Sequence, residues 1–266
     1  MLIAGEASGD LLAAELVSAL RRKLPDATFF GAGGAKMSAA GVELAFDLTQ
    51  HSVIGISDVL KNYFKFRRLF NQLLALAIER KPDVVIGVDY GGFNLRFGHA
   101  VKEYVRSNPF SKWNPKIVQF VSPQVWASRP GRANRLAADY DLLLSIFPFE
   151  KDWYAQRVPK LRVEFVGHPM IGRFAESKVQ SPKSKVENAT QQILLLPGSR
   201  KSELQRHLPV MLGALKLIQE KLPSAKAKMV LPDESLVQLA KSLGVTANVE
   251  IQIGDLPQAL AQADIA

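Results

Sequence analysis

One repeated unit limits what this chain can become. A short, uninterrupted aliphatic run meets a Gly, Pro, Asp or Ser cluster, and an amphipathic helical pattern follows. Runs such as "VVIGV" and "ILLL" lack polar alternation. A strand of that kind must be buried on both faces, which a parallel sheet with helices on each side provides. The pattern predicts strands at Leu2–Ala4, Val84–Val88, Ile117–Val121, Leu142–Ile146, Val163–Val166, Ile193–Leu196, Met229–Leu231 and Val249–Ile253. Helices are predicted at Asp10–Leu24, Val59–Arg80, Asn94–Arg106 and Ser202–Leu222. The fold class is α/β, doubly wound.

The rhythm breaks once. Residues 171–191 are polar, rich in Ser and Lys and almost free of large apolar side chains. They read as a linker, or a helix and loop, between two Rossmann-like domains at 1–170 and 192–266. The 266 residues are enough for one large domain or two smaller ones.

Composition removes several classes of function. With no cysteine, a disulfide framework, a thiolate zinc site and a cysteine nucleophile are excluded, and a reducing, cytoplasmic setting is the expectation. No cationic stretch with a long apolar run opens the chain, and no window approaches about 18 uncharged apolar residues, so membrane contact is expected to be peripheral. A net charge of +9 calls for an anionic partner. Zinc-finger spacing, an RNP-like strand and a basic helix with heptads are all missing, so nucleic acid is not expected. His51, His99, His168 and His207 show no metal-ligand spacing, and neither metal nor cofactor is implied.

In open parallel sheets, ligands sit beyond the carboxyl ends of the strands. The unusual clusters "GEASGD", "DYGGFN", "SPQVWASRPGR", "FPFE", "GHPM" and "PGSRKSE" fall there. In the first, Gly5 and Gly9 permit close backbone approach, while Ser8 or Asp10 can cap a helix whose N-terminus favours an anion. The alternative is a plain strand-to-helix turn. "GAGGAKM" lacks the third glycine of the dinucleotide fingerprint, because Lys36 stands there. In "GSRKSE", Gly198 and Ser199 lead into Arg200, whose guanidinium can fork onto a phosphate at the start of a helix carrying Glu203. Alternatively Ser199 or Ser202 caps that helix and Arg200 is solvated.

Together, "AGEASGD", "GVDYGGFN", "VSPQVWAS", "FPFEKDWY", "FVGHPM" and "LLPGSRKSE" resemble, in order and along the whole chain, the motifs of the lipid-A-disaccharide synthase family. The resemblance implies a GT-B glycosyltransferase of two Rossmann-like domains, the second incomplete here. Such an enzyme joins UDP-diacylglucosamine to diacylglucosamine 1-phosphate with inversion and releases UDP. It implies peripheral association with the cytoplasmic face of the inner membrane, and an oligomer only if further C-terminal residues are present. Other GT-B enzymes share the architecture but carry other loop signatures.

Residue by residue, the resemblance implies an acceptor side lined by Gly5, Ser8, Gly9, Asn94, Ser122, Gln124, Trp126 and His168, the last beside the cleft between domains. Gly198, Ser199, Arg200 and Glu203 would serve the nucleotide. Trp126 could equally be a hydrophobic plug beneath its loop, and His168 a packed or turn-forming residue. In the stretch 56–74, Val59, Leu60, Tyr63, Phe64, Phe66, Leu69 and Phe70 interleave with Lys61, Lys65, Arg67 and Arg68. That mixture suits a helix lying in a headgroup layer, or else a core helix with one charged face.

Two departures qualify the resemblance. Relatives read Asp-x-Pro-Asp-Phe-Asn where this chain reads "DYGGFN", so Gly92 replaces the favoured catalytic base. Asp89, at the end of an apolar strand, becomes the base candidate, with Glu6 and Asp10 as substitutes; its alternative role is an Asx cap on "YGG". The chain also stops after "DLPQALAQADIA", as a helix and the start of a strand, where the family continues into a Gly-Thr loop and closing helices. A fragment is therefore expected. Another GT-B glycosyltransferase, a sugar-nucleotide epimerase or a non-catalytic binder of anionic lipid stands as the alternative.

Overall fold

The computed structural model describes residues 1–51, 56–169, 171 and 191–266, so most of the expected linker lies outside the described residues. The chain divides into two compact units, Met1–Pro169 and Met170–Ala266.

The first unit runs β1 (Leu2–Ala4), α1 (Ala7–Lys23), β2 (Phe30–Gly33), α2 (Ala35–Ala39), β3 (Glu43–Asp47), α3 (Ile56–Arg80), β4 (Val84–Val88) and α4 (Gly91–Ser107). It continues through β5 (Lys116–Phe120), α5 (Val125–Ser128), α6 (Arg132–Asp139), β6 (Leu142–Ser145), α7 (Pro148–Arg157) and β7 (Val163–Phe165). The strands form one parallel sheet in the order β3-β2-β1-β4-β5-β6-β7. Alternate residues of β1 enter opposite cores. Ile3 joins Leu73, Phe97 and Leu136 on one face, and Leu2 joins Val17, Met37 and Val88 on the other. This double burial is what the unbroken apolar strands demanded.

The second unit comprises β8 (Gln192–Leu195), α8 (Lys201–Lys221), β9 (Lys226–Leu231), α9 (Glu234–Ser242), β10 (Val249–Ile253) and α10 (Leu256–Gln262). Its parallel sheet has the order β10-β9-β8, and Ile265 bridges to Ile193 on the open side of β8. Among the described residues, no helix is long and apolar enough to cross a membrane.

Candidate active site

In the first sheet the chain lays β2 and β3 on one side of β1, then crosses back to place β4 on the other. In open parallel sheets the point where winding reverses, here beyond the carboxyl ends of β1 and β4, is where a ligand crevice is expected. "GEASGD" and "DYGGFN" meet there. A side chain at Gly5 would collide with the Tyr90 ring, so the space this glycine leaves is filled from within. A Cβ at Gly9 would lie 3.5 Å from the Cβ of Asp89.

Asp89 and Tyr90 are both left-handed, with φ of 51° and 46°, and Val121 at the end of β5 has φ 67°. Each such non-glycine residue costs about 1–3 kcal/mol unless its surroundings hold it. Two buried amides do so. Asn94 Nδ2 and Gln119 Nε2 donate to the Asp89 carbonyl at 2.8 and 2.9 Å, and Gln119 also donates to the Val121 carbonyl at 3.2 Å. Gly87 makes room, since a Cβ there would lie 2.7 Å from Gln119 Oε1 and 2.9 Å from Asn94. The remaining oxygens, Asn94 Oδ1 and Gln119 Oε1, are buried without a hydrogen-bond partner. Asp89 is half-buried, and among the described residues no side-chain bond caps α4 as an Asx turn would.

The expected site residues separate into those that face this crevice and those that build it. Glu6 is half-buried; burial, and then the charge of Glu6, push the adjacent Tyr90 phenol above its usual value. Ser8 is exposed on the first turn of α1. Asp10 is a correction. Its carboxylate, 4% exposed, accepts hydrogen bonds from Gly34, Lys36 and Met37 N–H at 2.8, 2.9 and 3.0 Å, so it caps α2 and is not placed as a base. Asn94 is a second correction, because an amide only 2% exposed and bound to backbone carbonyls cannot reach a sugar. Ser122 is a third. It is buried, with Oγ 3.2 Å from Tyr154 Oη.

Gln124 is exposed. Trp126 donates through Nε1 to buried Glu150 at 3.0 Å and packs edge-on to Phe149, which pins it under the loop after β5. His168, half-buried after β7, lies 6.1 Å from Phe147 between ring centroids. Burial, partly offset by the Ser122 contact, pushes the Tyr154 hydroxyl up to about 12.

The side chains of Val59, Leu60 and Tyr63 lie outside the described residues. Phe64 is 77% exposed and Phe66 half-buried. Leu69 and Phe70 belong to the core face instead, with Phe70 edge-on to Phe93 and Phe97 at 5.4 and 5.6 Å. Those two are withdrawn from the expected acyl surface, because α3 turns that face onto α4.

In the second unit, Gly198 has φ 117°, and a Cβ there would lie 2.6 Å from Glu203 Oε2. Neither Ser199 nor Ser202 caps α8. Glu203 reaches back to accept the Ser199 N–H at 3.0 Å, and its other oxygen meets Arg200 Nη1 at 3.3 Å. The Ser199 bond is the main reason the Glu203 carboxyl is held below its usual value. Arg200 stands at the helix N-cap with an exposed side chain. Among the described residues, no group of acids and histidines could hold a metal ion.

Sequence reasoning missed Tyr90, Gln119 and Glu150. For Gln119 the signal was available: an amide inside an otherwise apolar strand asks for a buried partner.

The chain matches the family model for Lipid-A-disaccharide synthetase over residues 1–266. It is 39% identical to the lipid-A-disaccharide synthases of Trichlorobacter lovleyi and Myxococcus xanthus, over 87% and 84% of this chain and 58% and 56% of theirs. The chain thus spans a little over half the length of these curated relatives. Among solved structures, a UDP-GlcNAc 2-epimerase from Neisseria meningitidis, bound to UDP-GlcNAc, superposes with a TM-score of 0.57 at 14% identity, covering 99% of this chain and 76% of that one. A putative UDP-N-acetylglucosamine 2-epimerase from Listeria monocytogenes gives 0.60 at 14% identity, over 98% and 71%. Those two share the fold alone. With every residue inside the family match, and with five of the six motif loops at the carboxyl ends of the first sheet, the chain belongs to the lipid-A-disaccharide synthase family.

Proposed function

We propose that this chain carries the acceptor-binding domain, residues 1–170, and part of the nucleotide-sugar domain, residues 192–266, of an inverting hexosyltransferase. The reaction transfers a diacylglucosamine from UDP to diacylglucosamine 1-phosphate. It forms lipid A disaccharide 1-phosphate and UDP. As the acceptor hydroxyl attacks the anomeric carbon from the face opposite UDP, its proton passes to a carboxylate, and the anomeric C–O bond breaks with its electron pair leaving on the diphosphate. Asp89 is the base, and Glu6 flanks it. Ser8, Gln124 and Trp126 line the acceptor side, while Arg200 and the N–H groups at the start of α8 meet the diphosphate. Phe64 and Phe66, among basic residues of α3, rest in the headgroup layer at the cytoplasmic face of the inner membrane.

The observation that carries this reading is the half-buried Asp89 at the reversal point of the sheet, on a turn that two buried amides fix. A positioned general base contributes roughly 10²–10⁴ in rate. In the protein at its natural length, Asp89→Asn is expected to lower kcat at least about a hundredfold, with acceptor KM nearly unchanged. Gly92 has open space around its Cβ position, so Gly92→Asp fits without strain and tests the alternative directly. A nearly neutral Asp89→Asn beside a strongly activating Gly92→Asp would remove Asp89 from the role.

A further inference from the structure

In the first unit Arg80 pairs with Glu43, Lys102 and Lys116 with Asp141, Arg106 with Glu103 and Asp139, and Lys151 and Arg162 with Glu164. Four other arginines are near neighbours without such a partner. Arg96 on α4, Arg129 just after α5, and Arg132 and Arg135 on α6 make no ion pair or side-chain hydrogen bond among the described residues. Arg129, Arg132 and Arg135 line, with Gly131, a cavity of about 390 Å³. The one acid of α6 cannot neutralise them, since buried Asp139 at its far end is already engaged by Arg106 and His99.

The cluster is electrostatically unsatisfied. Burial, then the charges of Arg129, Arg96 and Arg135, push the Arg132 guanidinium below its usual range. An anion entering the cavity would relieve that repulsion. Its location is equally informative: Arg96 lies in the second turn of the helix that follows Asp89 and Tyr90, and α5 begins directly beyond β5. The cluster therefore flanks the same end of the sheet as the candidate base.

We propose that Arg96, Arg129, Arg132 and Arg135 form a binding site for a phosphate monoester, and that its occupant is the 1-phosphate of the sugar acceptor. The identity of the occupant rests on the function proposed above; the phosphate site itself rests on the cluster. Three guanidiniums lining one surface pocket, with Arg96 close enough to act on Arg132, offer forked donors to the several oxygens of a phosphate dianion.

Calorimetric titration with glucosamine 1-phosphate, which is water-soluble, tests the proposal. The Arg132→Gln/Arg135→Gln double variant is expected to weaken binding at least tenfold, as is Arg129→Gln in the exposed loop should the double variant fold poorly. Arg132→Lys, which keeps the charge and loses the fork, should fall between. Lys226→Gln/Lys241→Gln removes the same charge from the second unit and should leave affinity unchanged. Asp89→Asn should bind like the unaltered protein, so loss of the base and loss of the phosphate site read out separately. Unchanged affinity in both arginine variants overturns the proposal, as does equal weakening in the lysine control. Arginine variants that lose binding to phosphatidylglycerol vesicles yet keep glucosamine 1-phosphate would assign the cluster to the lipid surface and likewise overturn it.

Discussion

Asp10 offers the sharpest separation between a residue that acts on substrate and one that builds the site. Its carboxylate ties the first turn of α1 to the N-terminus of α2, accepting three backbone N–H groups that are 24 to 27 residues away. Asp10→Ala removes all three acceptors from a place that water barely reaches. A hydrogen bond to a charged group nets about 1.5–3 kcal/mol, and the three share one carboxylate, so they cannot simply add. The alanine also relieves the burial of a charge, which offsets part of the loss. The expected destabilisation is about 3–5 kcal/mol, a large share of the 5–15 kcal/mol typical of a domain. Asp10→Asn is more instructive. Its retained oxygen can still accept from Gly34 and Met37, but the new NH2 faces the Lys36 N–H donor to donor, so about 1.5–3 kcal/mol should be lost. Urea unfolding gives both values, with the midpoint shifting and the slope constant. The reasoning fails if Asp10→Asn unfolds at the original midpoint yet abolishes turnover, for then the carboxylate would be serving chemistry.

Three further outcomes follow from the geometry. Arg200→Ala should weaken UDP binding by calorimetry about 10- to 100-fold, the effect of losing a charged hydrogen bond to phosphate, and an unchanged affinity would deny Arg200 the phosphate role. For Asp141, burial raises its carboxyl, but hydrogen bonds from the Ile117 N–H, Lys116 and Lys102 outweigh that and lower it. A folded value below the unfolded one means this stabilisation is complete at neutral pH and lost as pH falls through the lowered value; Asp141→Asn should flatten the acid limb of a stability–pH curve, and an unaltered limb would count against it. Phe64→Ser/Phe66→Ser should reduce flotation with anionic vesicles while thermal stability holds, and a marked fall in melting temperature would instead place these rings in the core.

The central strands were legible because their chemistry is local. Leu2–Ala4, Val84–Val88 and Val249–Ile253 form as expected; β6 and β7 each end one residue early, β5 and β8 are shifted by one residue, and β9 begins three residues before Met229. β2 and β3 escaped notice for two reasons. "FGAG" holds a single large side chain, and "ELAFD" is a partly exposed edge strand with acids at both ends. Helix starts failed where the cap is not local. Position 10 looked like the cap of α1, yet α1 begins at Ala7 after an extended Glu6, and the Asp10 carboxylate serves α2 instead. The same limit explains Asn94 and Ser122. A polar residue in a motif loop satisfies a backbone carbonyl or a buried tyrosine as readily as a ligand, and only the fold tells which.

The turn at Asp89 is where these levels meet. A reversal of the chain after β4 could be made with glycine or asparagine, which enter the left-handed region at little cost. This chain places an aspartate and a tyrosine there in succession and then constrains them. One amide comes from the next helix and one from the neighbouring strand; both donate to a single carbonyl, and each leaves its own oxygen buried and unpaired. Every part of that arrangement is unfavourable for stability on its own: two left-handed side chains, two orphaned acceptors and a glycine in mid-strand. What it produces is a half-buried aspartate on a fixed backbone, at the reversal point of the sheet and beside the start of α1. Strain held from several directions is the ordinary signature of a group whose position matters more than the stability of its turn. Gly92, where the resembled motif would carry a second aspartate, leaves open space, and the constrained side chain that remains is Asp89, which is why the base is sought there.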